Sequence, residues 1–146
     1  LSGQVRSLEE VPDPTFAEKM SGDGIAIEPT EGKVVAPFSG EVIQIFPTNH
    51  AIGLRSQSGQ EWLIHIGLET VAMNGEGFTA MAQAGDMVQR GDPLISFDVD
   101  LVRKKAASLM TPIVLTTDNG KKVIFDVTKD EEVTAGKSEL LTIRKV

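Results

Sequence analysis

The chain contains no cysteine, which removes disulfides, thiolate metal sites, dithiol redox pairs and cysteine nucleophiles together. It has no apolar run approaching the ~18 to 20 residues that a membrane-spanning helix requires, so direct membrane insertion is not expected. Positive charge is scarce: 14 Lys and Arg stand against 21 Asp and Glu, a formal net charge of −7. Binding to a phosphate backbone depends on a concentrated basic face, so nucleic acid is not an expected partner. Only two histidines occur, His50 and His65, and mechanisms that need three imidazoles are excluded. No targeting segment is legible at the start of the sequence, and a cytoplasmic setting is expected.

What remains is globular in proportion. A length of 146 residues with 40% hydrophobic and 24% charged side chains suits a single domain with a useful core and rules out wholesale disorder. Short apolar stretches rich in Val and Ile are interrupted every few residues by Gly, Pro, Asn or Asp, the pattern of an all-β fold. Alternation marks strands at Gly24 to Glu28, Glu41 to Ile45, Ala51 to Arg55 and Glu61 to Ile66. Further strands are expected at Lys33 to Val35, Pro93 to Phe97, Ile113 to Leu115, Val123 to Asp126 and Glu139 to Arg144. Helical spacing is confined to Asp100 to Ala107 and a short piece around Phe16 to Met20. No linker divides the chain, so residues 1–146 read as one antiparallel β-sandwich domain with one or two short helices.

Two internal echoes organise that sandwich. Leu1-Ser2-Gly3-Gln4-Val5 returns as Phe38-Ser39-Gly40-Glu41-Val42, each with a turn glycine opening a strand. Val88-Gln89-Arg90-Gly91 before Leu94-Ile95 returns as Val133-Thr134-Ala135-Gly136 before Leu140-Leu141. The copies run in the order first, first, second, second, as expected of a duplicated motif whose halves interleave. A strand precedes Phe38 but nothing precedes Leu1, so a natural chain with a further N-terminal strand or linker is expected.

The chemistry concentrates between Phe46 and Val71. Ser58-Gly59 signals a turn, so the flanking runs should form a hairpin. An even loop there places Ile52 opposite His65, with His50 one diagonal step away on the same face; an odd loop places the two histidines on opposite faces. Trp62, Ile64 and Ile66 should then point into the core, and Leu63, His65 and Gly67 towards a shallow exterior site. A single strand histidine is usually a structural residue. Two converging imidazoles, with Thr48 beside one and Glu69 beyond the other, suit phosphoryl relay, because neutral imidazole is a nitrogen nucleophile and a phosphoryl group on nitrogen keeps a high transfer potential. One ring attacks while the other steadies the charge on the phosphoryl oxygens.

These residues carry a family resemblance. Val11-Pro12-Asp13, Phe16-Ala17-Glu18-Lys19, Gly22 to Ile27, Val35-Ala36-Pro37, Gly40-Glu41-Val42, Thr48-Asn49-His50-Ala51, Ile64-His65-Ile66-Gly67, Thr70-Val71, Gly75-Glu76-Gly77-Phe78, Gly85-Asp86 and Thr111-Pro112 stand in order. Together they resemble the glucose-type IIA domain of the bacterial phosphoenolpyruvate-dependent sugar phosphotransferase system. The resemblance implies a phosphotransferase component with a phosphohistidine intermediate and no cofactor or metal. His65 would take the phosphoryl group from the small phosphocarrier HPr and pass it to a cysteine of a IIB domain, with His50 and Thr48 assisting. Phe16 and Phe46 match an apolar contact patch, unless both belong to the core, and Leu63 stands where family members can carry an aromatic residue. Thr15 and Met20 would add to the rim, while Val34 and Val35 suit either rim or core. Asp13, Glu69 and Asp98 would complement a basic surface on HPr. Glu69 departs from the family's aspartate by one methylene. Regulatory protein targets, and tethering to the inner face of the membrane within a permease, also belong to what the resemblance implies.

Two readings from other classes compete. The segment Gly85 to Leu94 resembles biotinyl and lipoyl carrier modules, but these need a lysine at a hairpin tip, and Lys104 and Lys105 fall in the expected helix. A zinc-dependent hydrolase could use His50, His65 and Glu69 as ligands, but no third histidine is left for a general base.

Overall fold

The computed structural model describes residues 3–7, 11, 23–36, 38–57, 59–68, 70–106, 108–117, 123–127, 132–133 and 141–145. In chain order the strands are β1 (Gly3–Ser7), β2 (Asp23–Pro29), β3 (Lys33–Val35), β4 (Gly40–Ile45), β5 (Ala51–Ser56), β6 (Glu61–His65) and β7 (Phe78–Ala80). They continue as β8 (Met87–Val88), β9 (Pro93–Phe97), β10 (Thr111–Thr117), β11 (Val123–Val127), β12 (Glu132–Val133) and β13 (Leu141–Lys145). A 3-10 turn covers Thr70–Met73, and one helix, α1, covers Val99–Lys105. The strands anticipated from alternation are all present, and all pairing between them is antiparallel. The helical piece expected around Phe16 to Met20 lies outside the described residues.

An eight-stranded sheet runs in the order β12-β1-β2-β10-β6-β5-β4-β8, and a three-stranded sheet in the order β3-β9-β7. One apolar cluster joins Ile27, Val42, Ile52, Leu54, Trp62, Ile64, Ile66 and Ile113 of the large-sheet side to Val34, Phe78, Leu94, Ile95 and Phe97 of the small sheet. This is sandwich packing, with alternate side chains of each strand facing inward. Val34 and Val35 belong to this buried interior and not to a rim.

The internal echoes meet at equivalent places. Gly3 of β1 pairs with Val133 of β12, and Gly40 of β4 pairs with Val88 of β8. The first copy of one motif therefore pairs with the second copy of the other, at opposite ends of the same sheet. The duplicated halves do interleave.

Three local features differ from expectation. An odd number of residues, 56–60, separates the last β5–β6 pair, Arg55 and Glu61, so Ala51 and not Ile52 lies opposite His65, and Ile52 pairs with Ile64. Strand β4 contains a bulge between Val42 and Gln44, where Ile43 is the extra residue against β5; plain alternation cannot reveal an inserted residue. Helix α1 begins at Val99 because the Asp98 side chain accepts from Leu101 N at 3.1 Å. Asp98 thus caps the helix, which begins one residue before the expected Asp100.

Candidate functional site

His65 is the last residue of β6, where the ladder gives way to a turn. Its ring is half-buried, and Nδ1 lies 2.7 Å from the carbonyl oxygen of Gly67. A carbonyl can only accept, so Nδ1 carries the proton and the lone pair of the neutral ring resides on Nε2. The backbone geometry behind this contact requires glycine. Gly67 has φ of 67°, and a Cβ there would come within 2.9 Å of Ser108 O and of the Thr70 side chain. Gly67 is itself buried, so it serves through its backbone and does not face the exterior beside Leu63 and His65.

The odd loop should have separated the histidines, yet their ring centroids are 5.0 Å apart, with planes at 75°. The reason is that His50 is not part of β5. It occupies the bend before that strand, after Asn49 in the left-handed region at φ 58°, and its carbonyl accepts from Ile66 N at 2.8 Å. Strand alternation therefore does not govern the direction of its ring. The meeting of the two rings holds, but the register from which it was expected does not.

His50 is only 5% exposed. Thr48 Oγ1 engages Nδ1 of its ring, and Phe46 packs edge-on against it at a centroid distance of 5.6 Å. Burial, and after it the neighbouring His65, pushes the His50 pKa down from 6.5 to about 4. The ring is thus neutral near pH 7. Because the unfolded chain takes up this proton more readily, stability should be full above pH 6.5 and decline as the pH falls towards 4. Denaturant midpoints measured between pH 7 and 4 should show this component in the wild type and lack it in His50→Gln; identical pH slopes would contradict the assignment.

Of the other residues nominated from sequence, Phe46 is half-buried beside His50. Leu63 is half-buried too and packs against a second apolar cluster of Val11, Ala26, Leu68 and Val114. Asp13, Thr15, Phe16, Met20 and Glu69 lie outside the described residues. Among the described residues, no group of three His, Cys, Asp or Glu is placed to hold a metal ion. Sequence reasoning overlooked the Gly67 carbonyl and two buried threonines, Thr70 and Thr111, that bond to the backbone beside it. The signal was available in Thr70 and Thr111 as polar residues among apolar neighbours, but hydroxyls are too common to single out without coordinates.

Residues 1–121 match the family described as phosphoenolpyruvate-dependent sugar phosphotransferase system, EIIA 1. The PTS system glucose-specific EIIA component of Halalkalibacterium halodurans is 51% identical over 144 residues, 99% of this chain and 83% of that relative. The protein of the same name from Bacillus cereus is 51% identical over 143 residues, 98% of this chain and 86% of the relative. Among solved structures, glucose permease IIA from Mycoplasma capricolum superposes with a TM-score of 0.88 at 39% identity, covering 96% of this chain and 90% of that one.

Proposed function

This chain belongs to the EIIA 1 family of the phosphoenolpyruvate-dependent sugar phosphotransferase system, and from that premise we propose that residues 1–146 act as one phosphocarrier domain with His65 as the phosphoryl-bearing residue. The observation that carries the reading is the bond from His65 Nδ1 to the Gly67 carbonyl, which directs the nucleophilic lone pair to Nε2. The proposed donor is the phosphohistidine of HPr, and the proposed acceptor is a cysteine of a IIB domain. The relatives are named for glucose, so a glucose-class permease is the acceptor to try first.

In the first transfer, Nε2 of His65 supplies the electron pair of the new N–P bond. The donor's N–P bond breaks, and its electron pair returns to the donor imidazole. No proton has to move. The positive charge passes from the donor ring to His65, where Nδ1–H already points at the Gly67 carbonyl. In the second transfer a thiolate attacks phosphorus, the N–P bond breaks, and His65 becomes neutral again. His50, held through Nδ1 by Thr48, is placed to donate from Nε2 to a phosphoryl oxygen.

The site is to be reached by another protein. A net charge of −7 favours a basic partner surface, and the half-buried Phe46 offers an apolar contact beside the histidines. Phe16, Leu63, Asp13 and Glu69 are proposed as further contacts. Incubation with phosphoenolpyruvate, enzyme I and HPr should add one acid-labile, base-stable phosphoryl group. Once phospho-HPr has been isolated, a chelator should leave the transfer unchanged, because the displacement uses no divalent metal. Loss of transfer on chelation, restored by zinc or magnesium, would count against this reading.

A further inference from the structure

Among the described residues only three polar side chains are buried: His50, Thr70 and Thr111. All three stand at the histidine site. A hydroxyl taken out of water is costly unless it is hydrogen-bonded, and each threonine bonds to the backbone immediately after His65. Thr70 Oγ1 donates to the carbonyl of Ile66 at 2.7 Å. Thr111 Oγ1 donates to the carbonyl of Leu109 at 3.0 Å, which spends its proton and leaves its lone pairs to accept from Gly67 N at 3.3 Å. The Ile66–Gly67 peptide is thus gripped at its oxygen by one threonine and at its nitrogen by the other. The next peptide is gripped as well: His65 Nδ1 donates to its carbonyl, and Leu68 N donates to Ser108 O at 2.9 Å.

We propose that Thr70 and Thr111 are positioning residues for phosphoryl transfer, clamping the Ile66–Gly67 peptide so that the Gly67 carbonyl stays on Nδ1 of His65 and the lone pair stays on Nε2. The reasoning rests on His65 being the phosphoryl acceptor. Pairing between β10 and β6 begins only at Ile113 with Ile64. One step beyond, Pro112 brings no N–H to a ladder, and Thr111 replaces the ladder with its side chain. Glycine tolerates more backbone conformations than other residues, so without the two hydroxyls the Gly67 carbonyl is held on the backbone side only through Leu68 N on Ser108 O and can shift off Nδ1. Once the carbonyl leaves Nδ1, the acceptor that favours the proton there is lost. Each molecule protonated on Nε2 is unable to attack phosphorus.

The test uses Thr70→Val and Thr111→Val, which keep the side-chain shape and remove the hydroxyl, with Thr70→Ser and Thr111→Ser to restore it. Thr79→Val, on the exposed side of β7, controls for the substitution itself. The readouts are the ring nitrogen shifts of His65 by NMR at pH 8, which separate the two neutral tautomers, and the single-turnover rate of phosphoryl uptake from phospho-HPr. The valine variants should populate the Nε2–H tautomer and take up phosphate about tenfold more slowly, the lower end of what loss of an orienting hydrogen bond costs at metal-bound histidines. The serine variants should recover both. A folded valine variant with the wild-type tautomer, or one that slows without a tautomer change, overturns the proposal. Should neither valine variant fold, the wild-type spectrum decides: Nδ1–H supports the clamp, and Nε2–H as the main tautomer overturns it. Labelling that persists in His65→Gln would instead overturn the phosphoryl-acceptor reading, so the two failures are distinguishable.

Discussion

His65→Gln is expected to accept no phosphoryl group from phospho-HPr, a loss on the order of 10⁴-fold or more, the scale seen when a covalent nucleophile is removed. Glutamine approximates the length of the imidazole and can still donate a hydrogen bond towards Gly67, but its amide nitrogen has no lone pair available to attack phosphorus. The ring it replaces is half-buried at the end of β6, so the fold should survive with a stability change of about 1 kcal/mol or less. His50 cannot take over. It is 5% exposed, engaged by Thr48 and flanked by Phe46, so an incoming phosphohistidine cannot align on it. The assay is phosphorylation by phosphoenolpyruvate, enzyme I and HPr, with the label tested for lability in acid and stability in base. Undiminished labelling of His65→Gln, with the same lability, would remove His65 from the centre of the mechanism.

Much of the sandwich was legible because β-strands with one face buried write that face into every second residue. Along β6 and the residue after it, Trp62, Ile64 and Ile66 fall on every second position, and the structure buries all three while Leu63 and His65 between them are half-buried. The duplicated glycine motifs were legible for a different reason. Gly3 and Gly40 open equivalent strands, each paired with a two-residue edge strand, so the same local problem is solved with the same residues twice. The odd hairpin loop and the bulge at Ile43 were not legible, because a shift of one residue changes pairing without changing composition.

The site divided in the same way. His50 and His65 stood out by rarity, and Thr48 by its spacing of two from His50; the structure brings these three together. Strand alternation does not extend to His50, which lies outside the strand, and the two rings meet because Asn49 turns the chain before β5. The element that sets the chemistry of His65 is a main-chain carbonyl, and no residue type announces a carbonyl. Thr70 and Thr111 bond to the Ile66–Gly67 peptide just before that carbonyl, from 5 and 46 positions along the chain from His65, and only folding reveals them as neighbours.

His50→Gln should separate the two half-reactions. In the proposed uptake step a phosphoryl group would pass between two imidazoles of similar basicity, so charge on its oxygens would change little between the two ends and one hydrogen-bond donor would give little advantage. In the proposed onward step the acceptor would be a thiolate, which brings negative charge towards oxygens that are already anionic. A donor fixed 5.0 Å ring-to-ring from His65 matters most there. His50 suits this work because it is neutral: burial holds its pKa near 4, so it offers an N–H without a cation that would bind the phosphoryl group too tightly to release. Thr48 engages the other nitrogen, which holds the orientation of the ring before the phosphoryl group arrives. Removing the ring should therefore leave uptake from phospho-HPr within a few-fold of wild type and slow delivery to the IIB cysteine by about 10² to 10³-fold, or roughly 3 to 4 kcal/mol. Glutamine retains an N–H but lacks the rigid aim of the imidazole, and its longer-lived phospho-His65 should accumulate in a chase with IIB alone. Rapid-quench timing of each half-reaction with purified partners measures both numbers. Equal slowing of the two steps, or of neither, would mean that His50 does not discriminate between the donor and the acceptor.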